Sequence, residues 1–217
     1  MKKNILIILT SLIFVMLVVV LFILYELNII IHRKYENSDF DIDTYISEID
    51  MDNDGIDDQS DILDNVRAYI STNPKYKSSY YAGGYPDDGY GVCTDVVANG
   101  LLGAGYDLKE LVNEHIISNR QLYDIGKVDS NIDFRRVRNL YVYFDNTAIK
   151  LTTDVEKIDE WQGGDIVIFE KHIGIVSDKR NRKGIPFLIH HANPYQIHYE
   201  EDVLEDRNDI IGHYRIS

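Results

Sequence analysis

The sequence predicts an α+β domain in which helices precede an antiparallel sheet, with one further apolar helix at the N-terminus. Three observations predict this arrangement. An uncharged apolar run fills residues 5–25, periodic apolar positions indicate helices between residues 61 and 118, and short β-branched segments separated by turn residues follow residue 160. The net charge of −14 excludes nucleic acid as an expected partner, because proteins bind nucleic acid largely by neutralising its phosphates.

The apolar run at the N-terminus is long enough to cross a membrane. A helix over ILIILTSLIFVMLVVVLFILY, residues 5–25, spans about 30 Å at ~1.5 Å per residue, the thickness of a bilayer core. A cleaved signal peptide has a shorter apolar run and a small-residue cleavage site, and a buried core helix is the other alternative. We therefore predict a cytoplasmic stub and signal anchor over residues 1–34, followed by an acidic linker over 35–49. The expected protein is a single-pass protein of the cell membrane, with its domain extracytoplasmic.

An acidic loop, DMDNDGIDDQSD, occupies residues 50–61 and has the ligand spacing of a calcium site. Carboxylates two residues apart on a loop bent by a glycine suit a hard Ca²⁺ ion. The predicted ligands are the side chains of Asp50, Asp52, Asp54 and Asp61 and the carbonyl of Ile56. The loop resembles the DxDxDG loops of EF-hand-like and thrombospondin-type repeats, although Asp61 stands where an EF-hand has a glutamate. An acidic, solvated loop that caps the next helix is the alternative.

Apolar periodicity predicts helices over residues 61–71 and 94–104, and a third helix beginning after Asp107 as its cap. The signal is mixed between residues 119 and 150. The later segments DIVIF, HIGIVSD, PFLIHHA and HYRIS are short, β-branched and bounded by turn residues, which predicts antiparallel strands.

The only cysteine, Cys93, follows a glycine-rich stretch at the predicted start of a helix. A helix N-terminus lowers the thiol pKa from about 8.5, and its free N–H groups can form an oxyanion hole. A catalytic thiol also needs a base and a polar group that orients the base. His172 opens a predicted strand and is the candidate base. His190 and His191 lie on the next strand, where side chains alternate, so only one of them can face His172.

A glycine-rich loop, a helix-leading Cys, a WxxGD turn, a HIGIV strand and a His on the next strand occur here in that order. This order resembles the NlpC/p60 cysteine peptidases, papain-like bacterial enzymes that cut amide bonds in peptidoglycan stem peptides. The sequence is more similar still to a bacterial family of unknown function, number 1287. The pieces that carry this likeness are GVCTDVV, NIDFRRVRNL, WQGGDIV, HIGIVSD, IHHA, EEDVL and GHYR. The resemblance covers residues 60–217 and implies a papain-like fold, with the nucleophile helix packed on an antiparallel sheet.

The resemblance also implies roles for individual residues. Cys93 matches the nucleophile, His172 the base and His190, ahead of His191, the third residue, and no cofactor is implied for catalysis. Tyr80, in YYAGG, resembles a tyrosine that lines the peptidase site. Val92 and Thr94 stand where the superfamily usually has an Asp and a Ser, so cleavage specificity does not carry over.

Four further polar residues bear on binding or catalysis. Arg135 and Arg136 belong to a basic cluster that could bind a substrate carboxylate, with a solvated face or internal ion pairs as alternatives. His191 is a further candidate for substrate binding. Asp95 fits a first-turn carboxylate at a helix N-terminus better than a catalytic acid.

These observations lead to the expectation of a membrane-anchored thiol hydrolase that cleaves amide bonds in peptidoglycan stem peptides. A non-catalytic, calcium-dependent module that binds the cell wall or a partner protein is an alternative, and so is a papain-like acyltransferase that uses the same dyad. A lowered pKa at Cys93 is expected for catalysis, and an ordinary one for binding.

Overall fold

The structure is a computed structural model that describes residues 2–217, and it divides into two compact units. The first unit ends at Arg33 and contains helix α1 (Lys2–Glu26). Its segment Lys3–Glu26 is long and apolar enough to cross a membrane, and none of its most apolar stretch is buried. The predicted apolar helix is therefore present, and the alternative of a buried core helix is wrong.

The second unit runs from Lys34 to Ser217 and contains four α-helices, four short 3₁₀ helices, one of them Asp133–Arg135, and eight strands. The α-helices are α2 (Asp58–Ser71), α3 (Cys93–Gly103), α4 (Leu108–Ser118) and α5 (Val137–Thr147). The strands are β1 (Lys75–Tyr76), β2 (Tyr90–Gly91), β3 (Ile149–Lys150), β4 (Ile166–Phe169), β5 (Ile173–Arg180), β6 (Pro186–Ile189), β7 (Glu200–Glu201) and β8 (Ile210–Arg215).

Six of the strands form one antiparallel sheet in the order β3-β8-β4-β5-β6-β7, and β1 and β2 form a separate parallel pair. The central strands of the six-stranded sheet carry the β-branched and aromatic residues that favour a pleated, buried surface. The predicted α+β class, with an antiparallel sheet following the helices, is confirmed.

The sheet separates two hydrophobic layers, because successive side chains of a strand point to opposite faces. Ile166 and Ile168 of β4 pack with the helices in the larger core, whereas Val167 and Phe169 pack around Trp161 in the smaller one. Helices α2 and α3 approach closely at Gly100, where an added Cβ would lie 2.2 Å from a methyl group of Val66.

Three sequence-based boundaries differ from the structure. Helix α2 begins at Asp58 rather than at residue 61, because the Asp57 carboxylate caps it by accepting from the amides of Gln59 and Ser60. Helix α3 begins one residue earlier than predicted, at Cys93 itself. The mixed region between 119 and 150 contains α5, whose Leu140, Tyr143 and Phe144 are buried.

Residues 35–49 are part of the folded unit and not a free linker. Tyr35 and Arg180 exchange backbone hydrogen bonds of 2.9 and 2.8 Å. The buried Arg180 guanidinium donates to the side chain of Asn37 at 2.5 Å. The Tyr45 hydroxyl donates to the carbonyl of Ser217 at 2.8 Å. This segment therefore contacts both Arg180, the last residue of β5, and Ser217 at the C-terminal end of the domain.

Candidate functional site

Cys93 is the first residue of α3 and lies beside the start of β5. The backbone N–H of Ile173, the residue after His172, donates a hydrogen bond to the Cys93 sulfur. The start of α3 and the start of β5 are therefore in contact. In residues 2–217 no hydrogen bond joins the Cys93 thiol to the His172 ring itself.

The thiol of Cys93 has a raised pKa, contrary to the expectation from its helix position. Burial raises this pKa to about 11 and outweighs the hydrogen bonds from the N–H groups of Ile173 and Thr94, which act in the opposite direction. The resting residue is therefore a neutral thiol at neutral pH.

His172 and His190 are in direct contact. Nε2 of His172 lies 2.8 Å from Nδ1 of His190. Gly174 permits this approach of β5 and β6, because a Cβ there would lie 2.7 Å from Leu188 Cδ1 and 2.9 Å from the carbonyl oxygen of Ile189. His191 points elsewhere and packs its ring edge-on against Tyr76, with 5.2 Å between the centroids. Of the two adjacent histidines, His190 is thus the one that faces His172.

Glu201 extends this contact by one residue, and the sequence analysis did not find it. Its Oε2 lies 3.0 Å from Nε2 of His190. Because β7 pairs with β6 in the register Leu188 with Glu201, the side chain reaches the histidine at the end of β6. The signal was the EEDVL segment: two adjacent glutamates on a strand must face opposite ways. Glu200 indeed binds Arg67 and Ser177 instead.

Burial decides the charge of these groups. It lowers the pKa of His172 to about 3, with His190 and Arg207 acting in the same direction. It likewise lowers the pKa of His190 to about 3. Burial raises the pKa of Glu201 to about 7. Both imidazoles are therefore neutral at rest, as is the thiol of Cys93.

Arg135 is an internal ion-pair partner, which corrects its assignment to substrate binding. Its Nε and Nη2 donate to the two oxygens of the buried Asp95 at 2.6 and 2.9 Å, and Nη1 donates to the carbonyl of Ser79 at 2.7 Å. The Asp95 carboxylate also accepts from the backbone N–H of Val92 at 2.8 Å. Asp95 therefore holds the start of α3 in place, as its first-turn position suggested.

Two other predicted site residues are exposed and form no hydrogen bond or ion pair with the Cys93 thiol in the part of the chain that the structure describes. The Arg136 side chain is 43% exposed, with Nε 4.0 Å from the Asp133 carboxylate. The Tyr80 hydroxyl donates to Asp129 at 3.2 Å. Tyr76 is the tyrosine near the thiol: burial and the neighbouring Cys93 raise its pKa.

The acidic loop brings three predicted calcium ligands together. One carboxylate oxygen from each of Asp50, Asp52 and Asp54 lies within 4.8 Å of the others. Asp61 lies in α2, where burial and the charges of Asp54 and Asp52 raise its pKa to about 6. Its carboxylate accepts from Asn65 at 2.6 Å. The donor set is all oxygen and acidic, which fits Ca²⁺, and Ile56 follows Gly55, whose φ of 96° forms the bend.

A second buried histidine–carboxylate pair lies in the WQGGD and GHYR segments. Asp165 lies 3.0 Å from Nε2 of His213, and Arg215 donates to both of its oxygens at 2.7 and 2.8 Å. Gln59 donates to the same carboxylate at 2.8 Å. The His213 ring stacks on Trp161 with 3.8 Å between the centroids. This pair joins β4, β8 and α2.

Comparison with known proteins identifies relatives over most of the chain. A family model described as a domain of unknown function, DUF1287, matches residues 63–216. The uncharacterized protein YijF of Escherichia coli (strain K12) is 36% identical over 167 residues, covering 71% of this chain and 80% of that protein. No solved structure matches the chain significantly. Because the family model spans well over half of the sequence, the chain belongs to the DUF1287 family.

Proposed function

We propose that this protein is a thiol hydrolase that cleaves amide bonds in peptidoglycan stem peptides through Cys93, His172 and His190. One observation carries the proposal: His172, which is hydrogen-bonded to His190 and through it to Glu201, directly precedes Ile173, whose backbone N–H donates to the Cys93 sulfur. A nucleophile, a base and groups that orient the base are the parts that covalent amide hydrolysis requires.

In the proposed reaction the Cys93 sulfur attacks the carbonyl carbon of the amide, and its proton passes to His172. The resulting imidazolium gives that proton to the leaving amine, the C–N bond breaks, and the acyl group remains on Cys93 as a thioester. His172 then takes a proton from water, the hydroxide formed attacks the thioester, and the imidazolium returns the proton to the departing Cys93 sulfur. The N–H groups at the start of α3 face the forming oxyanion.

The neutral resting state makes His172 a general base during the attack itself, in contrast to a preformed thiolate–imidazolium pair. A thiol with a pKa of about 11 and an imidazole with a pKa of about 3 do not exchange a proton at rest. Substrate that displaces water from the thiol and brings an oxyanion to the helix N-terminus favours the transfer. Proton transfer from Cys93 to His172 is therefore expected only when a substrate is bound.

The substrate class and the papain-like fold rest on the resemblance to NlpC/p60 peptidases. The apolar helix α1 supports attachment to the cell membrane, and with the domain extracytoplasmic the site would meet wall peptide. Transfer of the acyl group to an amine instead of water would use the same residues, so a papain-like acyltransferase shares this chemistry.

The test is digestion of purified muropeptides by the full-length protein in detergent, with products read by mass spectrometry. The wild type is expected to release new amino and carboxyl ends, and Cys93→Ala to release none. His115→Gln is the matched control, because His115 lies on α4 and contacts Tyr123 rather than the site. Identical product spectra for the wild type and Cys93→Ala would contradict the proposal.

The raised pKa of Cys93 favours a second candidate, a module that binds wall peptide or a partner protein without chemistry. We propose structural Ca²⁺ in the acidic loop under either function, held by Asp50, Asp52 and Asp54, with Asp61 and the Ile56 carbonyl adjacent in sequence. Sedimentation with intact peptidoglycan separates the two functions: binding that needs calcium, survives Cys93→Ala and leaves the muropeptides uncut supports the module.

A further inference from the structure

We propose that ionised Glu201, together with Gln196, is a positioning residue that sets the tautomers of both histidines and leaves Nδ1 of His172 without a proton. The inference deepens the proposed function and rests on it for its catalytic meaning. Its structural content, the placement of each proton, is independent of any reaction.

The first step concerns the orientation of the Gln196 amide. Its Oε1 accepts from the backbone N–H of Ala192 at 2.5 Å. Its Nε2 lies 3.2 and 2.8 Å from the backbone carbonyls of His190 and His198. A backbone N–H only donates and a carbonyl only accepts, so these neighbours allow only one orientation of the amide.

The same amide nitrogen also contacts Glu201. Nε2 of Gln196 also lies 3.2 Å from Oε2 of Glu201. This is the same oxygen that contacts Nε2 of His190 at 3.0 Å. The Gln196 amide nitrogen can only donate to this oxygen, and an ionised carboxylate has no proton to donate. When Glu201 is ionised, Oε2 therefore accepts from both nitrogens, and His190 donates to it from Nε2.

The third step follows from the single proton of a neutral imidazole. With its proton on Nε2, His190 presents a lone pair at Nδ1. The contact of 2.8 Å with His172 then requires that Nε2 of His172 donates. His172, neutral as well, is left with a lone pair at Nδ1. That nitrogen can take the Cys93 proton, and the opposite tautomer could not.

Burial keeps this arrangement in force. The side chains of His190 and Glu201 are only 4% and 12% exposed, so water offers little alternative hydrogen bonding. When His172 takes the proton of Cys93, its positive charge faces the His190 lone pair and, beyond it, the Glu201 carboxylate. Glu201 thus acts on the reaction through two rings, without touching the substrate.

The test reads the protons directly by nitrogen NMR of the full-length protein in detergent, labelled with ¹⁵N in the histidine rings. Wild type above about pH 8, where Glu201 is ionised, is expected to show both His172 and His190 protonated at Nε2 and bare at Nδ1. The variants His172→Gln and His190→Gln assign the resonances. A wild-type spectrum with His172 protonated at Nδ1 overturns the inference, whatever any variant does.

Three substitutions test the cause. Glu201→Leu removes the acceptor, and the fraction of His172 protonated at Nδ1 is expected to rise measurably. Glu201→Gln keeps a carbonyl acceptor and should restore the wild-type pattern. Glu200→Gln is the matched control, because the Glu200 side chain contacts Lys34, Arg67 and Ser177 and should leave both tautomers unchanged. Unchanged tautomers in a folded Glu201→Leu protein overturn the inference.

Kinetics keep the two proposals apart. If wild type cuts muropeptides, Glu201→Leu is expected to lower kcat about 100-fold, at the lower end of what general base catalysis contributes, with KM unchanged. Wild type with the expected tautomers and no cleavage contradicts the hydrolase proposal alone. Cleavage by a wild type that shows the opposite tautomers contradicts the role of Glu201 alone.

Discussion

The domain contains two buried histidine–carboxylate pairs with the same separation and opposite surroundings. His213 lies 3.0 Å from Asp165, and His190 lies 3.0 Å from Glu201. Asp165 also receives two hydrogen bonds from Arg215, whereas the other partner of Glu201 is the neutral amide of Gln196. A guanidinium therefore faces Asp165, whereas burial raises the pKa of Glu201 to about 7.

The partners of the two imidazoles differ in the same way. The second nitrogen of His213 lies 2.7 Å from the carbonyl of Thr152, so both of its nitrogens face acceptors and both must carry a proton for both bonds to form. The second nitrogen of His190 faces another imidazole, which can donate. His213 therefore meets a hydrogen-bond acceptor at each nitrogen, and we call His213–Asp165 the closed pair. His190 meets another imidazole at its second nitrogen, and we call His190–Glu201 the open pair. Contact distance alone does not separate a structural pair from a functional one.

The largest expected effect is the loss of unfolding free energy when the closed pair of His213 and Asp165 is broken. Asp165→Ala leaves Arg215 and the buried His213 without their carboxylate, and removing one partner of a buried ion pair costs about 3–5 kcal/mol in the free energy of unfolding. Urea denaturation measures this change. Asp159→Asn is the control, because Asp159 is exposed and should change the value little. A loss below about 1 kcal/mol for Asp165→Ala would show that the closed network is not structural.

A smaller effect is expected at the ion pair below Cys93. Arg135→Lys loses the two-pronged contact with Asp95 and is expected to cost about 1–3 kcal/mol of stability, because buried acceptors lose donors. Arg136→Lys, at an exposed side chain, should leave the unfolding free energy unchanged. If Arg135→Lys raised KM for peptide and left stability intact, the internal role assigned to Arg135 would be wrong.

The third effect is a pH dependence that belongs to the open pair. The pKa of Glu201 is about 7 in the folded protein against an ordinary 4.5, so the folded state holds a proton there that the unfolded state releases. Its contribution to stability is complete below pH 4.5 and is lost as the pH rises to about 7. The lowered pKa values of His172 and His190 act in the opposite sense, destabilising the fold as the pH falls from 6.5 towards 3.

Comparison of wild type with Glu201→Gln isolates that contribution, because both proteins keep the histidines. The difference between their unfolding free energies is expected to move against wild type by about 1–3 kcal/mol between pH 4.5 and 7. Other charged groups that act on this series are His191, His198, Arg207 and Asp209, and they are common to both proteins. A difference that stays constant with pH would place the Glu201 pKa near its ordinary value.

The smallest expected effect concerns the acidic loop, where a bound metal ion would supply the positive charge that Arg215 supplies to Asp165. EDTA is expected to lower the melting temperature and Ca²⁺ to restore it, with about 2–4 °C for each kcal/mol of binding linkage. Asp52→Asn should abolish the response, and Asp87→Asn, outside the loop and exposed, should keep it. An identical melting temperature with and without calcium would remove the ion from the account.

The sequence predicted the elements that meet at Cys93 because each carries a local signal. A cysteine after a glycine-rich stretch marks a helix start, and alternation along a strand shows that His190 and His191 face apart. Alternation does not say which of them faces His172, since that depends on the register between β5 and β6, and it does not say what β7 brings. Glu201 was missed for that reason.

Partners that lie far apart in sequence were also beyond local patterns. Nothing near Arg135 indicates that Asp95, on another helix, takes up its guanidinium. Residues 35–49 look like a linker because they are polar, yet their hydrogen bonds go to residues more than a hundred positions away, such as Gln162 and Ser217. The predicted lowering of the Cys93 pKa failed because a helix end is a weak influence on a buried thiol.

The docking of residues 35–49 decides where the protein can be shortened for work in water. A version trimmed to begin at Asp50, the apparent edge of the domain, would leave the buried Arg180 without the side chain of Asn37 and the last residue, Ser217, without Tyr45. Such a protein is expected to aggregate during purification. A version beginning at Lys34 keeps these contacts and omits residues 1–33, which contain the apolar helix α1.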